Sequence, residues 1–248
     1  MEWSDEALVL GVQKYGENDT ILDVLTLEHG RCRGYVKGGY GRRLRGVLQS
    51  GNGVLVTWRA RLSTNLGSFT VESAKARAVH IYSDAIRLAA MNSVSALLIR
   101  LLPEREEVET IYYACQALLD LLCDEGASDL HCAMATIKFE AGLLQTLGFG
   151  MDLDSCAASG TTENLSFVSP KTGRAVCAVE AEPYVDKLLP LPAFLLPSFS
   201  PAISEVNRQD IIDGFNLTGY FLRRHLLHPL NVDLSDERER LVSSFKDK

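Results

Sequence analysis

Along residues 6–75, apolar positions alternate with polar ones, and glycine, asparagine and aspartate break the alternation at short intervals. A period of two puts every second side chain on one face of an extended chain, so these stretches predict half-buried strands. Five are legible. "EALVLGVQKY" is closed by the turn-forming "GEND", and "TILDVLTLEHG" and "RCRGYVKGG" follow. "GNGVLVTWRARL" and "LGSFTVESAKA" are joined by "STNLG". Five short strands with no long helix among them predict a small closed barrel of the OB type over residues 1–78.

Near His80 the period changes. "IYSDAIRLAAMNSVSALLIRLLP" carries apolar residues at helical spacing and stops at Pro103. "PEREEVETIYYACQALLDLLCDEG" opens with a proline at a first helical position, places acids at the positive end of the helix dipole and stops at Gly126. "SDLHCAMATIKFEAGLLQTLGFG" has Ser128 as N-cap and Gly148 as its stop. These three helices predict the first part of a helical domain, residues 79–149, with short connections. From 150 to 200 the periodicity is lost: "DLDSCAASG" and "SPKTGRAVCAVEAEPY" read as turns and brief strands, and "LPLPAFLLPSFSPA" as a proline-rich return segment. Within 201–248 a last helix runs from about Glu205 to Leu227, with Ile211, Phe215, Thr218 and Leu222 on one stripe, and a short charged tail follows. The expected class is α+β, a barrel followed by a helical bundle that carries a small insertion.

Composition narrows the setting. The longest apolar run, Leu88 to Ile99, is interrupted by Asn92 and serines and bracketed by Arg87 and Arg100, which is too short for a bilayer. The opening Met1 to Glu6 is acidic and has no secretory n-region. Six cysteines without a paired framework point to a reducing cytoplasm and no membrane.

Charge changes the picture more. The chain has a formal net charge of -7, yet from His29 to Val71 it carries eight Lys/Arg and no Asp or Glu. The eight are Arg31, Arg33, Lys37, Arg42, Arg43, Arg45, Arg59 and Arg61. Segregation of this kind produces a local positive field that the total conceals, and a polyanion is its natural partner. In "GYVKGGYGRRLRG", four of these cations sit among five glycines and two tyrosines. Strand residues two apart share a face, so Arg31 and Arg33 should lie on one side of the sheet, as should Arg59 and Arg61. Tyr35, Tyr40 and Trp58 are rings of the kind that stack on unpaired bases, although Tyr35 and Trp58 serve equally well as core. A single charge run is usually a solvated loop; here the flanking arginines and the rings favour nucleic acid. Two rivals belong to other classes: a protein-interaction adaptor whose basic face binds an acidic partner, and an RNA-binding OB protein.

Catalytic motifs are absent. No G-x-x-x-x-G-K-[ST], G-x-S-x-G or H-E-x-x-H occurs, so no catalytic residue, no cofactor and no enzymatic activity are expected. His225 and His228 lack a third ligand nearby. Cys156 with Ser159, and Cys177 with Glu180, outline two C-x-x-C knuckles in which the second member of each is replaced. Serine is a poor zinc ligand, and a closed structural site needs four good ones, so the insertion is expected to be metal-free.

The order of barrel, helices, degenerate knuckles and returning helix resembles the RecO family of bacterial recombination mediators. The matching stretches are "YGEND" before "ILDVLTLEHGR", "YVKGGYGRR", "FEAGLLQTLGF" running into "DLDSC", and "YVDKLLPLP" with "LTGYFLRRHL". The resemblance implies a non-enzymatic role in DNA repair. Such proteins bind single- and double-stranded DNA, anneal complementary strands, and act with RecR and the single-stranded-DNA-binding protein to place RecA on coated DNA. It also implies a cytoplasmic, nucleoid-associated protein. Carried onto this chain, Lys37, Arg42, Arg43 and Arg45 would be phosphate contacts; the charge and ring pattern read above adds Arg31, Arg33, Arg59, Arg61 and Tyr40 to the expected DNA-binding set. Some members hold zinc through four cysteines, of which only Cys156 and Cys177 are matched here. The acidic, Phe-terminated tail of the single-stranded-DNA-binding protein is expected on the helical part, at Lys138 and Phe139, because such a tail requires a cation beside an apolar surface.

Overall fold

The computed structural model describes residues 1–62, 64–196 and 206–246. The chain divides into two compact units, Met1–Glu125 and Gly126–Lys248. The division falls within the helical region, between the second and third of the three long helices read from the sequence, rather than where the barrel ends.

In the first unit, β1 (Glu2–Tyr15), β2 (Asp19–Thr26), β3 (Gly30–Val36), β4 (Gly53–Arg59) and β5 (Ser68–Lys75) close into a barrel of order β1-β2-β3-β5-β4. The register runs from Glu2 opposite Arg59 to Leu8 opposite Gly53 on one side of β1, and from Ala7 opposite Thr26 to Tyr15 opposite Asp19 on the other. Neighbouring strands are antiparallel except β3 and β5, which meet in parallel where Tyr35 pairs with Ser68. The alternation in the sequence becomes the barrel interior: Val9, Leu22, Val24, Cys32, Val54, Val56, Phe69 and Val71 fill it. Trp58 belongs to this core, 4% exposed, with its indole N–H donating to the Leu66 carbonyl at 3.0 Å. Leu8, Leu10 and Leu25 are buried as well, so β1 and β2 are covered on both faces.

A short helix, α1 (Arg42–Arg45), lies between β3 and β4, and α2 (Ala78–Ile81), α3 (Ala85–Leu101) and α4 (Glu109–Leu122) follow the barrel. The helix expected from Ile81 starts four residues later, because the Asp84 carboxylate accepts the Arg87 N–H at 2.8 Å and caps it there. Gly11 of β1 faces Ile99 of α3, whose Cδ1 would lie 3.2 Å from a Cβ at that position. The helix expected to open at Pro103 begins instead at Glu109. The intervening residues run beside β3, where Arg105 N–H donates to the Arg31 carbonyl at 2.8 Å. Gly30, with φ +64°, permits this approach: a Cβ there would stand 1.7 Å from the Glu106 carbonyl oxygen.

In the second unit, α5 (Asp129–Thr146) begins at Ser128, whose hydroxyl accepts the His131 N–H while its own backbone N–H donates to the His131 ring nitrogen. A three-stranded sheet of order β7-β6-β8 follows, from β6 (Leu165–Val168), β7 (Ala175–Cys177) and β8 (Leu189–Pro190), with α6 (Ala178–Ala181) after β7. Residues 197–205, which hold most of the proline-rich return and the expected start of the last long helix, lie outside the described residues. That helix, α7 (Arg208–Phe221), is capped by Asn207, packs on α5 and continues as a π turn, Leu222–Leu227.

The charged "tail" is a correction. Asp236–Lys246 form helix α8, which buries Arg238, Leu241, Val242 and Phe245. The reason is Arg238. Its guanidinium is 2% exposed and bonds Glu140 of α5 at 2.7 and 2.9 Å and the Phe215 carbonyl of α7 at 2.8 Å. Thr218 donates to the same carboxylate at 2.5 Å. A residue that reads as surface charge therefore ties three helices together.

Candidate nucleic-acid interface

The cationic loop is anchored to the barrel. Leu48 is buried in the barrel core, and Leu44 and Val47 pack against it. The Asn52 amide donates to the carbonyls of Gly46 and Val47 at 2.9 and 3.1 Å, while its oxygen accepts the N–H groups of Arg77 and Ala78, each at 2.9 Å. With its apolar side chains turned inward, α1 directs Arg42, Arg43 and Arg45 outward, where all three are exposed, as is Lys37. None of the four makes an ion pair among the described residues. The glycines here serve tight geometry more than flexibility. Gly38 has φ +67°, and a Cβ on Gly39 would lie 2.2 Å from the Thr20 hydroxyl.

The loop meets the tip of the β1–β2 hairpin. Tyr40 N–H donates to the Asn18 carbonyl at 2.9 Å, and the Lys14 ammonium stands 5.0 Å from the centre of the Tyr40 ring. Asp19 fixes the other side by accepting the Gly38 N–H at 2.6 Å and the Tyr35 hydroxyl at 2.5 Å. Those two bonds hold the Asp19 carboxyl below its ordinary range, the backbone donor contributing most, and the bond to Asp19 raises the Tyr35 phenol. Tyr35 in turn meets Tyr15 edge-on, with ring centres 6.0 Å apart. Lys14 and Tyr15 therefore belong to the same cationic and aromatic cluster. They precede the acid-free segment, so a search by charge segregation passes over them. The available signal was "KY" immediately before the turn "GEND", at a hairpin tip.

The remaining cations are distributed differently. Arg31 and Arg33 do share the outer face of β3, but a neighbouring strand supplies carboxylate. Arg31 grips Asp23 of β2 through two bonds of 3.0 and 2.6 Å and also donates to the Leu102 carbonyl. Arg33 stands 3.8 Å from Asp23 and 3.7 Å from Glu104. Burial raises the Asp23 pKa, and its partner Arg31 opposes the shift. Arg59 pairs with Glu2 at 2.7 Å, both exposed, and Arg61 is exposed beyond the end of β4. A segment free of acids in sequence is thus not free of them in space. Arg31 is committed to Asp23 and the Lys37 charge acts on the Asp19 carboxylate, whereas Arg42, Arg43 and Arg45 keep their charge open.

In the second unit, Lys138 is exposed, but Phe139 is 6% exposed and belongs to the inward side of α5. The apolar surface expected beside Lys138 is therefore not supplied by Phe139. A cleft of about 630 Å³ beside α7 and α8 is lined by Arg223, Arg224, Arg238 and Lys246. Arg223 is spent on Asp233 and Glu239, and Arg238 on Glu140. At the degenerate knuckles, Cys156 and Cys177 are buried side by side, with Cys177 N–H donating to Cys156 Sγ at 3.3 Å and the Ser159 hydroxyl 3.7 Å from Cys177 Sγ. Burial opposes ionisation of Cys156, but bonds from Ser159, Cys177 and Ala158 outweigh it and bring the thiol down to about 6. These residues do not fit a closed zinc site, which needs four ligands. No group of three or more His, Cys, Asp or Glu suited to a metal occurs among the described residues.

No helix among the described residues is long and apolar enough to cross a membrane. Residues 1–77 match the family description "Recombination protein O N terminal", and residues 82–233 match "Recombination protein O C terminal". The chain is 43% identical over 244 residues to the DNA repair protein RecO of Bradyrhizobium sp. (strain ORS 278), covering 98% of this chain and 96% of that one. It is 44% identical over 246 residues to that of Beijerinckia indica (98% and 94% covered), and 44% identical over 245 residues to that of Methylorubrum populi (98% of each). Both halves match in order, and the relatives are spanned almost end to end: the chain belongs to the RecO family of DNA repair proteins.

Proposed function

We propose that the protein is a non-enzymatic recombination mediator that binds single- and double-stranded DNA and anneals complementary strands through an OB-type barrel. The observation that carries this reading is the exposed set Lys37, Arg42, Arg43 and Arg45, of which the three arginines are unpaired among the described residues, mounted on a segment that Leu48 and Asn52 anchor to the barrel. The strand order β1-β2-β3-β5-β4 supports the OB assignment, a fold whose loops and curved face hold nucleic-acid strands. Neutralising phosphates on one strand releases counterions and lowers the repulsion that a second strand meets, which is the physical core of annealing. Arg59 joins readily, since its pair with Glu2 is exposed, weakened by solvent and exchanged for a phosphate at little cost. Arg31 serves instead to hold β2, β3 and the Leu102 turn together.

Family membership supports partners of the recombination machinery: RecR, the single-stranded-DNA-binding protein and, through them, RecA, in a nucleoid-associated cytoplasmic setting. Lys138 is the cation offered to an acidic tail. Annealing of complementary oligonucleotides tests the reading. Replacing Arg42, Arg43 and Arg45 together with alanine should bring the rate down toward the spontaneous one without lowering the melting temperature. A rate equal to the unaltered protein's would overturn it.

A further inference from the structure

We infer that Tyr15 and Tyr40 are base-stacking residues that make this surface prefer an unpaired strand over a duplex. The inference rests on the DNA-binding reading above and adds to it the feature that distinguishes substrate from product. Tyr15 is 56% exposed and Tyr40 is 48% exposed, large rings left open to solvent among exposed cations. Neither is loose. Tyr15 leans on Tyr35, which is pinned by its hydroxyl to Asp19, and Tyr40 is held by its backbone to Asn18. The Lys14 ammonium sits over the Tyr40 ring, where it can meet the phosphate of a nucleotide whose base lies against that ring. Successive residues of a strand point to opposite sides, so Tyr15 and the Lys14–Tyr40 pair flank the hairpin tip. A strand crossing the tip meets one ring on each side.

The consequence is chemical discrimination. Exposed rings stack on bases only when those bases are unstacked and unpaired, whereas Arg42, Arg43 and Arg45 meet phosphates in either form. When a bound strand pairs with its complement, the base contacts are lost and the phosphate contacts stay. The rings therefore set the difference between substrate and product affinity, and that difference drives release of the duplex.

The test uses the full chain, a labelled oligothymidylate strand and a labelled duplex of equal length. Tyr15→Ala and Tyr40→Ala should each lower single-strand affinity roughly tenfold. Duplex affinity and the salt dependence of single-strand binding should stay unchanged. Tyr15→Trp and Tyr40→Trp should retain the preference. Equal losses for strand and duplex would show a merely structural role and overturn the inference, as would no loss for either. The triple arginine variant separates the two readings. If it loses binding while the tyrosine variants keep theirs, the stacking inference fails alone; if it also keeps binding, the DNA-binding reading fails with it.

Discussion

Glu140 and Arg238 show how far a single residue's sequence signature is from its role. Both are charged, yet they are 0% and 2% exposed, and their bidentate pair is completed by Thr218 and the Phe215 carbonyl. A buried ion pair contributes little net stability, but removing one partner strands the other charge in the interior at about 3–5 kcal/mol. Glu140→Gln should destabilise the second unit by that amount in chemical denaturation. A loss below about 1 kcal/mol would mean that water reaches the Arg238 guanidinium. The "FEAGL" stretch that carries Glu140 was legible as a family signature, but its partner lay 98 residues away in what read as a solvated tail. Periodicity cannot reveal such a pairing because nothing local marks Arg238 as buried.

At the scale of elements, the five strands were legible because each has one face in a dry barrel and one outside it, which writes a period of two into the sequence. The starts of α3 and α4 were not. Asp84 captured the N-cap of one, and β3 recruited the residues before the other into backbone bonds. Helix α8 was hidden by its composition: Leu241, Val242 and Phe245 are spaced for one face, but charged residues surround them. If α8 is an integral wall rather than a tail, Phe245→Ala should cost about 3–5 kcal/mol, as for other fully buried aromatics. Thermal unfolding followed by circular dichroism would show it, and an unshifted transition would return α8 to the status of an appendage. Oligonucleotide binding by the barrel should persist in that variant at temperatures below the transition.

For the whole molecule, net charge is a poor guide and local charge a partial one. The chain is acidic in total, and its eight segregated cations suggested one local positive field. Folding sorts them. Arg31 and Arg33 face Asp23, Arg59 faces Glu2, and the loop cations stay open beside Lys14 and two exposed tyrosines. The exposure of the loop cations was legible from their setting among glycines, but the ion pairs of Arg31, Arg33 and Arg59 were not, because carboxylates distant in sequence return as strand neighbours. Lys14 and Tyr15 were missed for the converse reason: the hairpin brings them to a segment more than 20 residues downstream.

The central claim, that Arg42, Arg43 and Arg45 neutralise strand phosphates, is tested most directly by the salt dependence of single-strand affinity. Each phosphate neutralised contributes about 0.7 to the slope of log affinity against log salt. The triple alanine variant should show a slope shallower than the unaltered protein's by about two. A slope identical to the original would place these three guanidinium groups away from the DNA and contradict the account.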